Sequence, residues 1–286
     1  PKGFSIMTRF CELRRKLVEL FADAGIQSAA VDADLLISEL AGVPRSELFF
    51  LADQPVPPAL EKKIRELARR RAHREPLQYL LGHAYFWELR LDVTPDVLIP
   101  RPETELLVEW IVEQLPLRGS VVDLGTGSGA IALSLAHSRP DARITGVDIS
   151  LPALTVALHN REQLHLHQVE FLESDLFTAL GTRCFDLIAA NLPYVTPAEY
   201  ASLEPEVKLH EPALALVAED EGFALIQRAA GEAPDHLTAG GKLIFELSPH
   251  QAERLAGVLK ESGAFRKIEI LHDYNRRERF VAAERV

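Results

Sequence analysis

Two short stretches of this 286-residue chain combine residue types that suit ligand chemistry. The first is DLGTGSGA, residues 123–130, in which three glycines alternate with small residues behind a carboxylate. The second is NLPY, residues 191–194, which places a carboxamide directly after an apolar run. A glycine-rich loop lets a ligand approach the backbone, and a carboxamide offers both a donor and an acceptor to a planar polar group.

The glycine loop lies between a predicted strand and a predicted helix. Its glycines remove side chains where a ligand must approach closely, and the helix beyond presents free N–H groups. Asp148 ends the next predicted strand, where a carboxylate can accept two hydrogen bonds from a ribose diol. We therefore expect a nucleoside-containing cofactor that is held by Asp123, Gly125, Thr126, Gly127, Ser128, Gly129 and Asp148.

The loop spacing alone does not distinguish a nicotinamide dinucleotide from S-adenosylmethionine, because it also satisfies the relaxed dinucleotide pattern G-x-G-x-x-A. Two features favour S-adenosylmethionine. Asp123 precedes the loop, where a carboxylate can help to place a cationic amino-acid group, and no Arg, Lys or Ser/Thr cluster faces a pyrophosphate. The structural alternatives are a tight turn for the loop, a strand-end turn for Asp123 and a helix N-cap for Asp148.

A third carboxylate, Asp175 in LESDLF, follows the third predicted strand of this region. It could accept a hydrogen bond from an adenine amino group, with Leu176 and Phe177 packing on the ring. The alternative is an N-cap for the short helix that follows, and the two roles are compatible.

The NLPY segment predicts a clamp for a planar NH2 group. An amide nitrogen attacks a methyl sulfonium poorly because its lone pair is delocalised. The correct positioning of this nitrogen must therefore supply most of the rate acceleration. The Asn191 side-chain oxygen and the backbone carbonyl of Leu192 can accept both N–H bonds, and Tyr194, after Pro193, can stack on the flat acceptor. Such positioning supplies roughly 7–11 kcal/mol at the limit. The alternative is that Asn and Pro only turn the chain.

The elements that must position these residues follow from periodicity. Residues 8–75 predict helices, with a first apolar stripe at Phe10, Leu13, Leu17, Leu20 and Phe21. Residues 77–100 predict a hairpin-like connector, followed by a helix opened by Pro102. From residue 119 strands alternate with helices, and the last strand is antiparallel. We predict a helical domain over 1–75, a connector over 76–100 and a doubly wound α/β domain over 101–286.

The net charge, the cysteine count and the apolar runs argue against several classes of protein. The net charge is −11, which opposes binding to nucleic acid as a whole. Two cysteines, no metal-ligand spacing and no long apolar run predict a cytoplasmic protein without a metal site, a signal peptide or a membrane span. The basic run at 61–75 predicts a solvated helix face, with a docking surface for an acidic partner as the alternative.

The chain resembles the release-factor glutamine methyltransferases (the PrmC/HemK family) over nearly its whole length. The resemblance rests on QYLLGHAYFWELRLDVTPDVLIPRPETE, DLGTGSGAIAL, NLPY and LEPEVKLHEPALAL. It implies a class I methyltransferase fold, S-adenosylmethionine as cofactor and peptide-chain release factors as partners. The implied reaction is N5 methylation of the glutamine in their Gly-Gly-Gln loop. Residues 191–194 would hold this glutamine, and Asn191 and Leu176 would also contact the cofactor.

The resemblance also covers the rim of the site, and this chain differs from the family at two positions. Arg101, Pro102 and Glu103 match the family's active-site rim, with a salt bridge as the alternative for Arg101. The family usually has Pro where this chain has Leu192, and often a large aromatic residue where it has Leu176. Three alternatives remain: a nucleic-acid methyltransferase for adenine N6 or guanine N2 that uses the same clamp, a catalytically silent scaffold, and a nicotinamide-dependent oxidoreductase.

Overall fold

The computed structural model describes residues 8–286. Its α-helices are α1 (Phe10–Asp23), α2 (Ala29–Ala41), α3 (Leu48–Leu51), α4 (Pro58–Ala72), α5 (Leu77–Leu81), α6 (Glu105–Gln114), α7 (Ala130–Ser138), α8 (Leu151–Gln163), α9 (Pro197–Ser202), α10 (Pro205–His210), α11 (Glu219–Gly222), α12 (Ala224–His236) and α13 (Ala252–Ser262). Its strands are β1 (His83–Phe86), β2 (Leu89–Asp92), β3 (Ser120–Leu124), β4 (Arg143–Asp148), β5 (Glu170–Glu173), β6 (Phe185–Asn191), β7 (Leu237–Glu246), β8 (Phe265–His272) and β9 (Glu278–Arg285). No helix within the described range is both long and apolar enough to cross a membrane.

The described chain forms two compact units, residues 8–82 with 205–210, and residues 83–204 with 211–286. This division differs from the predicted one, because α5 and the distant α10 belong to the helical unit. The predicted hairpin is shorter than expected: residues 83–92 form it, whereas LQYLL folds as α5. Pro76 precedes this helix, and Gly82 ends it with a left-handed φ of 80°, which explains the helical turn.

The helical unit buries the predicted stripe of α1 with one exception. Phe10, Leu13, Leu17 and Phe21 lie in its core, whereas Leu20 is 38% exposed. Positions i, i+3, i+7 and i+11 share one helix face, and Leu20 lies beside it.

The prediction of a solvated face for the basic run is wrong at Arg71, which is buried. Arg71 Nε donates to Asp32 Oδ2 over 2.7 Å, and its Nη2 donates to Glu206 Oε1 over 3.1 Å. Arg74 pairs with the same Glu206 carboxylate. A buried guanidinium needs such partners because an isolated buried charge is very costly.

The second unit is built on a seven-stranded sheet with the order β5-β4-β3-β6-β7-β9-β8. Strands β3 to β7 pair in parallel, and β9 pairs antiparallel with both β7 and β8. One face carries a core with α12 and α13, and the other carries a core with α6 and α7. The predicted doubly wound α/β fold with a final antiparallel strand is confirmed.

Strand order reverses between β3 and β6. From β3 the chain moves outward through β4 and β5, and it then returns to the other side of β3 as β6. Loops diverge at the carboxyl ends of two such strands and leave a crevice, which is where open α/β sheets bind ligands. The glycine loop follows β3 and NLPY follows β6, so both meet at this crevice.

Candidate active site

A cleft lies over the carboxyl ends of the central strands. Its floor comes from the strand ends, residues 125–128, 148–150, 174–176 and 191–193. Its other wall comes from residues 96–98, 100–101 and 104 and from residues 212 and 214–215. The predicted contact residues Gly125, Thr126, Gly127, Ser128, Asp148, Asp175, Leu176, Asn191, Leu192 and Pro193 line this cleft, whereas Asp123, Gly129 and Tyr194 do not.

The three loop glycines serve different purposes. All three have positive φ, which a side chain would strain. A Cβ on Gly125 would lie 3.1 Å from Leu192 Cδ2, and one on Gly129 would lie 3.0 Å from both Leu133 and Phe171 side chains. A Cβ on Gly127 would meet no atom within 4 Å. Gly125 and Gly129 therefore allow close packing within the protein, and Gly127 leaves space open on the cleft side.

Asp148 holds the loop from the end of β4. Its Oδ2 accepts from the Gly127 N–H over 2.8 Å, and its Oδ1 accepts from the Ser150 N–H over 2.9 Å. Burial raises the pKa of Asp148, and these two backbone donors oppose the rise. The N-cap of α8 is Ser150, whose hydroxyl accepts from Ala153 N, so Asp148 is not the cap itself. The carboxylate is thus free to serve both the loop and the cleft.

Asp123 lies beneath the loop and is fully buried. Its Oδ2 accepts from the Thr126 hydroxyl over 2.6 Å, and its Oδ1 has no hydrogen-bond partner among residues 8–286. Burial raises the pKa of Asp123 to about 7, although the Thr126 bond opposes this. In this arrangement Asp123 orders the loop through Thr126.

Asp175 lines the cleft, and its Oδ1 pairs with Arg228. The short 3-10 helix after it begins at Thr178 with Phe177 as its N-cap, so the alternative N-cap role for Asp175 does not occur. Leu176 has a left-handed φ of 49° and lines the cleft. The expectation that Phe177 packs on a ligand is wrong, because this side chain is 2% exposed and stacks on His236 in the core.

The NLPY segment begins at the last residue of β6. Leu192 is buried against Gly125 and contributes to the hydrophobic core. Pro193 lines the cleft. Burial raises the pKa of Tyr194 to about 12, with the Glu246 charge adding to the rise and Arg279 and Arg101 opposing it. The Tyr194 hydroxyl therefore faces these charged groups, and its ring lies outside the cleft lining.

Sequence reasoning missed the two residues that hold Asn191. The Asn191 Nδ2 donates to Thr104 Oγ1 over 3.1 Å, and Thr104 Oγ1 donates to Glu246 Oε2 over 2.7 Å. Thr104 and Glu246 are both buried. The available signal was a carboxylate at the end of the apolar strand KLIFE, because a charged side chain is rarely buried without a partner.

A third residue that sequence reasoning missed is Glu211. It is 5% exposed, accepts from Arg101 Nη2 over 2.6 Å and accepts from the Ile99 N–H over 3.1 Å. The salt-bridge alternative for Arg101 is therefore present, and it fixes residues 99–101 at the wall of the cleft. Glu211 lies within the EPALAL motif, which had no assigned role at the level of sequence.

Comparison with known families gives two matches. The family described as PrmC N-terminal domain matches residues 12–82, and the family described as methyltransferase small domain matches residues 102–204. The curated release factor glutamine methyltransferase of Mycolicibacterium smegmatis is 39% identical over 283 residues, which cover 98% of this chain and 99% of that protein. The curated protein of the same name from Geobacter sulfurreducens is 39% identical over 242 residues, or 85% of each chain.

Among solved structures, the 16S rRNA N2 G1207 methyltransferase RsmC of Thermus thermophilus, in complex with AdoMet and guanosine, superposes with a TM-score of 0.53. The match is 24% identical and covers 71% of this chain and 50% of that one. At this identity the similarity establishes the methyltransferase fold only.

Proposed function

The chain belongs to the release factor glutamine methyltransferase family, and on this premise we propose that it transfers a methyl group from S-adenosylmethionine to N5 of a release-factor glutamine. The acceptor is the glutamine of the Gly-Gly-Gln loop. The observation that carries the proposal is the packing of Gly125 against Leu192. It brings the loop for a nucleoside cofactor and the clamp for a carboxamide into one cleft.

The residues of the cleft fit the cofactor. Each Asp148 oxygen accepts one backbone N–H, and a carboxylate oxygen can accept a second hydrogen bond, so acceptor capacity remains for a ribose diol. The open side of Gly127 leaves room for a ligand above the loop. S-adenosylmethionine supplies, when bound, an electrophilic methyl group on a sulfonium. We therefore assign cofactor contacts to residues 125–128, Asp148, Asp175 and Leu176.

Asn191 and the Leu192 carbonyl hold the acceptor amide in our proposal. The Nδ2 of Asn191 is engaged with Thr104, so its carbonyl oxygen is the atom available to the substrate. Two fixed acceptors orient both N–H bonds of a carboxamide, and they stabilise the positive charge that develops on its nitrogen. No strong base is required while the NH2 group is held in place, and the proton that the nitrogen loses on methylation would pass to water. The contact of Tyr194 with the acceptor stays a prediction, because Pro193 lines the cleft and Tyr194 follows it directly.

The walls of the cleft support the same chemistry. Phe86, Val97, Leu98 and Pro212 line it with apolar surface. An apolar wall excludes water and strengthens the hydrogen bonds that orient the substrate. We also propose that the protein acts in the cytoplasm, where translation terminates, and that it does not bind nucleic acid directly.

The test is incubation of the purified protein with S-adenosylmethionine and a release factor, followed by mass spectrometry of the Gly-Gly-Gln peptide. One added methyl on the glutamine is expected, and a release factor whose loop glutamine is replaced should remain unmodified. Methylation of ribosomal RNA or DNA, with an unmodified release factor, would instead favour the nucleic-acid alternative.

The clamp itself is tested with Asn191→Ala. We expect a loss of roughly 100-fold or more in kcat, because misplacement of a reacting group by about 1 Å has effects of this size. Asn275→Ala is the matched control, since Asn275 is exposed in the turn between β8 and β9. Equal activity of the two variants would contradict the assignment of Asn191.

A further inference from the structure

Asn191 and Glu246 lie side by side at the ends of neighbouring strands. They are register partners in the parallel pair β6–β7. Side chains alternate between the two faces of a sheet, and Ala189 and Ile244, two residues earlier in each strand, belong to the core under α6 and α7. Asn191 and Glu246 therefore project onto that same face.

Thr104 completes the arrangement from above the sheet. It ends the 3-10 turn Pro102–Thr104, directly before α6, whose residues Leu107 and Val108 pack in the same core. Its hydroxyl lies between the two strand-end side chains, 3.1 Å from Asn191 Nδ2 and 2.7 Å from Glu246 Oε2. We call these three residues the amide relay.

Proton counting fixes the orientation of the Asn191 amide. A threonine hydroxyl has one proton to donate and can accept further hydrogen bonds. An ionised Glu246 can only accept a hydrogen bond, so the Thr104 hydroxyl donates its one proton to Glu246. The Thr104 oxygen must then accept a hydrogen bond from Asn191. Only the NH2 end of Asn191 can donate, so its carbonyl oxygen is directed away from Thr104.

We propose that Thr104 and Glu246 are positioning residues that hold the Asn191 amide in the single orientation that presents its oxygen to the substrate. The inference rests on the proposed function only for the identity of the substrate. A flipped Asn191 would present an NH2 group to the substrate NH2, and two donors cannot form a hydrogen bond. The relay therefore selects the productive state of the clamp.

The charge of Glu246 controls the relay. Burial raises the pKa of Glu246 to about 7, while the Thr104 bond, Arg279 and Arg101 oppose the rise and Glu103 adds to it. Tyr194 is the further titratable group that faces this carboxyl. When Glu246 is protonated it can donate to Thr104, which then donates its own proton to an inverted Asn191. The productive orientation is consequently held above a pH of about 7 and weakens below it.

The direct test uses the side-chain amide signal of Asn191 in 15N NMR spectra of the full chain, assigned by its loss in Asn191→Asp. We expect this signal to titrate with a midpoint near pH 7 in the wild type. The titration should disappear in Thr104→Val and Glu246→Gln and persist in Thr104→Ser. Thr145→Val is the matched control, because Thr145 is also buried and donates to a carboxylate, Glu170 Oε2, at another strand.

Kinetics provide a second readout. We expect kcat of Thr104→Val to fall roughly fivefold, which is the factor that corresponds to the loss of one hydrogen bond of about 1 kcal/mol. The acidic limb of the kcat–pH profile should vanish in Glu246→Gln and remain in Thr145→Val. An Asn191 signal that titrates unchanged in Thr104→Val, or in Glu246→Gln, would overturn the proposal.

The two readouts separate this inference from the proposed function. The NMR titration needs no release factor, so it tests the relay even when the substrate is wrong. If Glu246→Gln does not fold, the comparison of Thr104→Val with Thr104→Ser is sufficient to test the proposal. If the protein methylates another substrate and the Asn191 signal still titrates as expected, the proposed function is refuted but the amide relay is supported.

Discussion

The buried carboxyl of Asp123 predicts a stability that falls as the pH rises. Asp123 is fully buried, its Oδ1 has no hydrogen-bond partner in the part of the chain that the structure describes, and burial raises the pKa of this carboxyl from 3.8 to about 7. In the unfolded chain the carboxyl loses its proton near pH 4, whereas the folded state retains the proton up to about pH 7. The folded state binds more protons in this window, so its free energy of unfolding declines as the pH rises.

Asp123→Asn removes this dependence with little change in shape. An asparagine can still accept from the Thr126 hydroxyl, and its NH2 group replaces the OH of the protonated acid. One pKa unit corresponds to 1.36 kcal/mol, so the interval from 3.8 to about 7 amounts to about 4 kcal/mol at most. We expect the variant to match the wild type near pH 4 and to exceed it by roughly 2–4 kcal/mol at pH 8.

The assay is urea unfolding of wild type and variant, without cofactor, at several pH values between 4 and 8. Asp141→Asn is a control of opposite sign, because the Arg139 hydrogen bond lowers the pKa of the exposed Asp141. That variant should lose stability at neutral pH relative to the wild type. If the Asp123→Asn and wild-type curves run parallel over the whole range, Asp123 is not held neutral by burial and the reasoning is refuted.

Two further substitutions test other parts of the chain. Arg71→Met should destabilise the helical unit by about 3–5 kcal/mol, because it leaves the buried Asp32 carboxylate without its guanidinium. In the same urea assay Arg65→Met, at a more exposed pair, should cost less than about 1 kcal/mol. Gly125→Ala should weaken S-adenosylmethionine binding in calorimetry, because its Cβ would lie 3.1 Å from Leu192 Cδ2 at a φ of 71°. Gly263→Ala has similar strain at a φ of 67° but no neighbour within 4 Å, and should bind as the wild type does. Equal effects of the two changes within either pair would contradict the reasoning.

Sequence periodicity was sufficient for the sheet and its central loop. Strands β3, β4 and β6 are short and mostly apolar, and the glycine loop follows the first of them at the position where a ligand site forms. The end of α2 also follows a local rule, because a glycine, Gly42, caps this helix with a left-handed φ of 67°. These features depend on residues close together in the chain, so their patterns can be recognised without a structure.

Contacts between distant residues could not be predicted in this way. Thr104 and Glu246 are 142 residues apart in the chain, and neither has a local pattern that names the other. Glu206 reaches Arg71 from 135 residues away. Only Glu246 was visible as a charged side chain at the end of an apolar run, KLIFE, and in both cases the partner depends on the order of the elements in space. A polar residue that breaks an apolar pattern therefore predicts that a partner exists and leaves the partner unidentified.

The leucine at position 192 shows how packing can replace a local restraint. A proline at this position would restrict Asn191 to extended conformations. In this chain Leu192 is instead buried against Gly125, and Asn191 is held by Thr104 across the sheet. Pro193 still restricts Leu192 itself. The orientation of the clamp thus depends on core packing and on the amide relay. Changes at Thr104 and Gly125 should therefore affect function, although both residues are far from NLPY in the sequence.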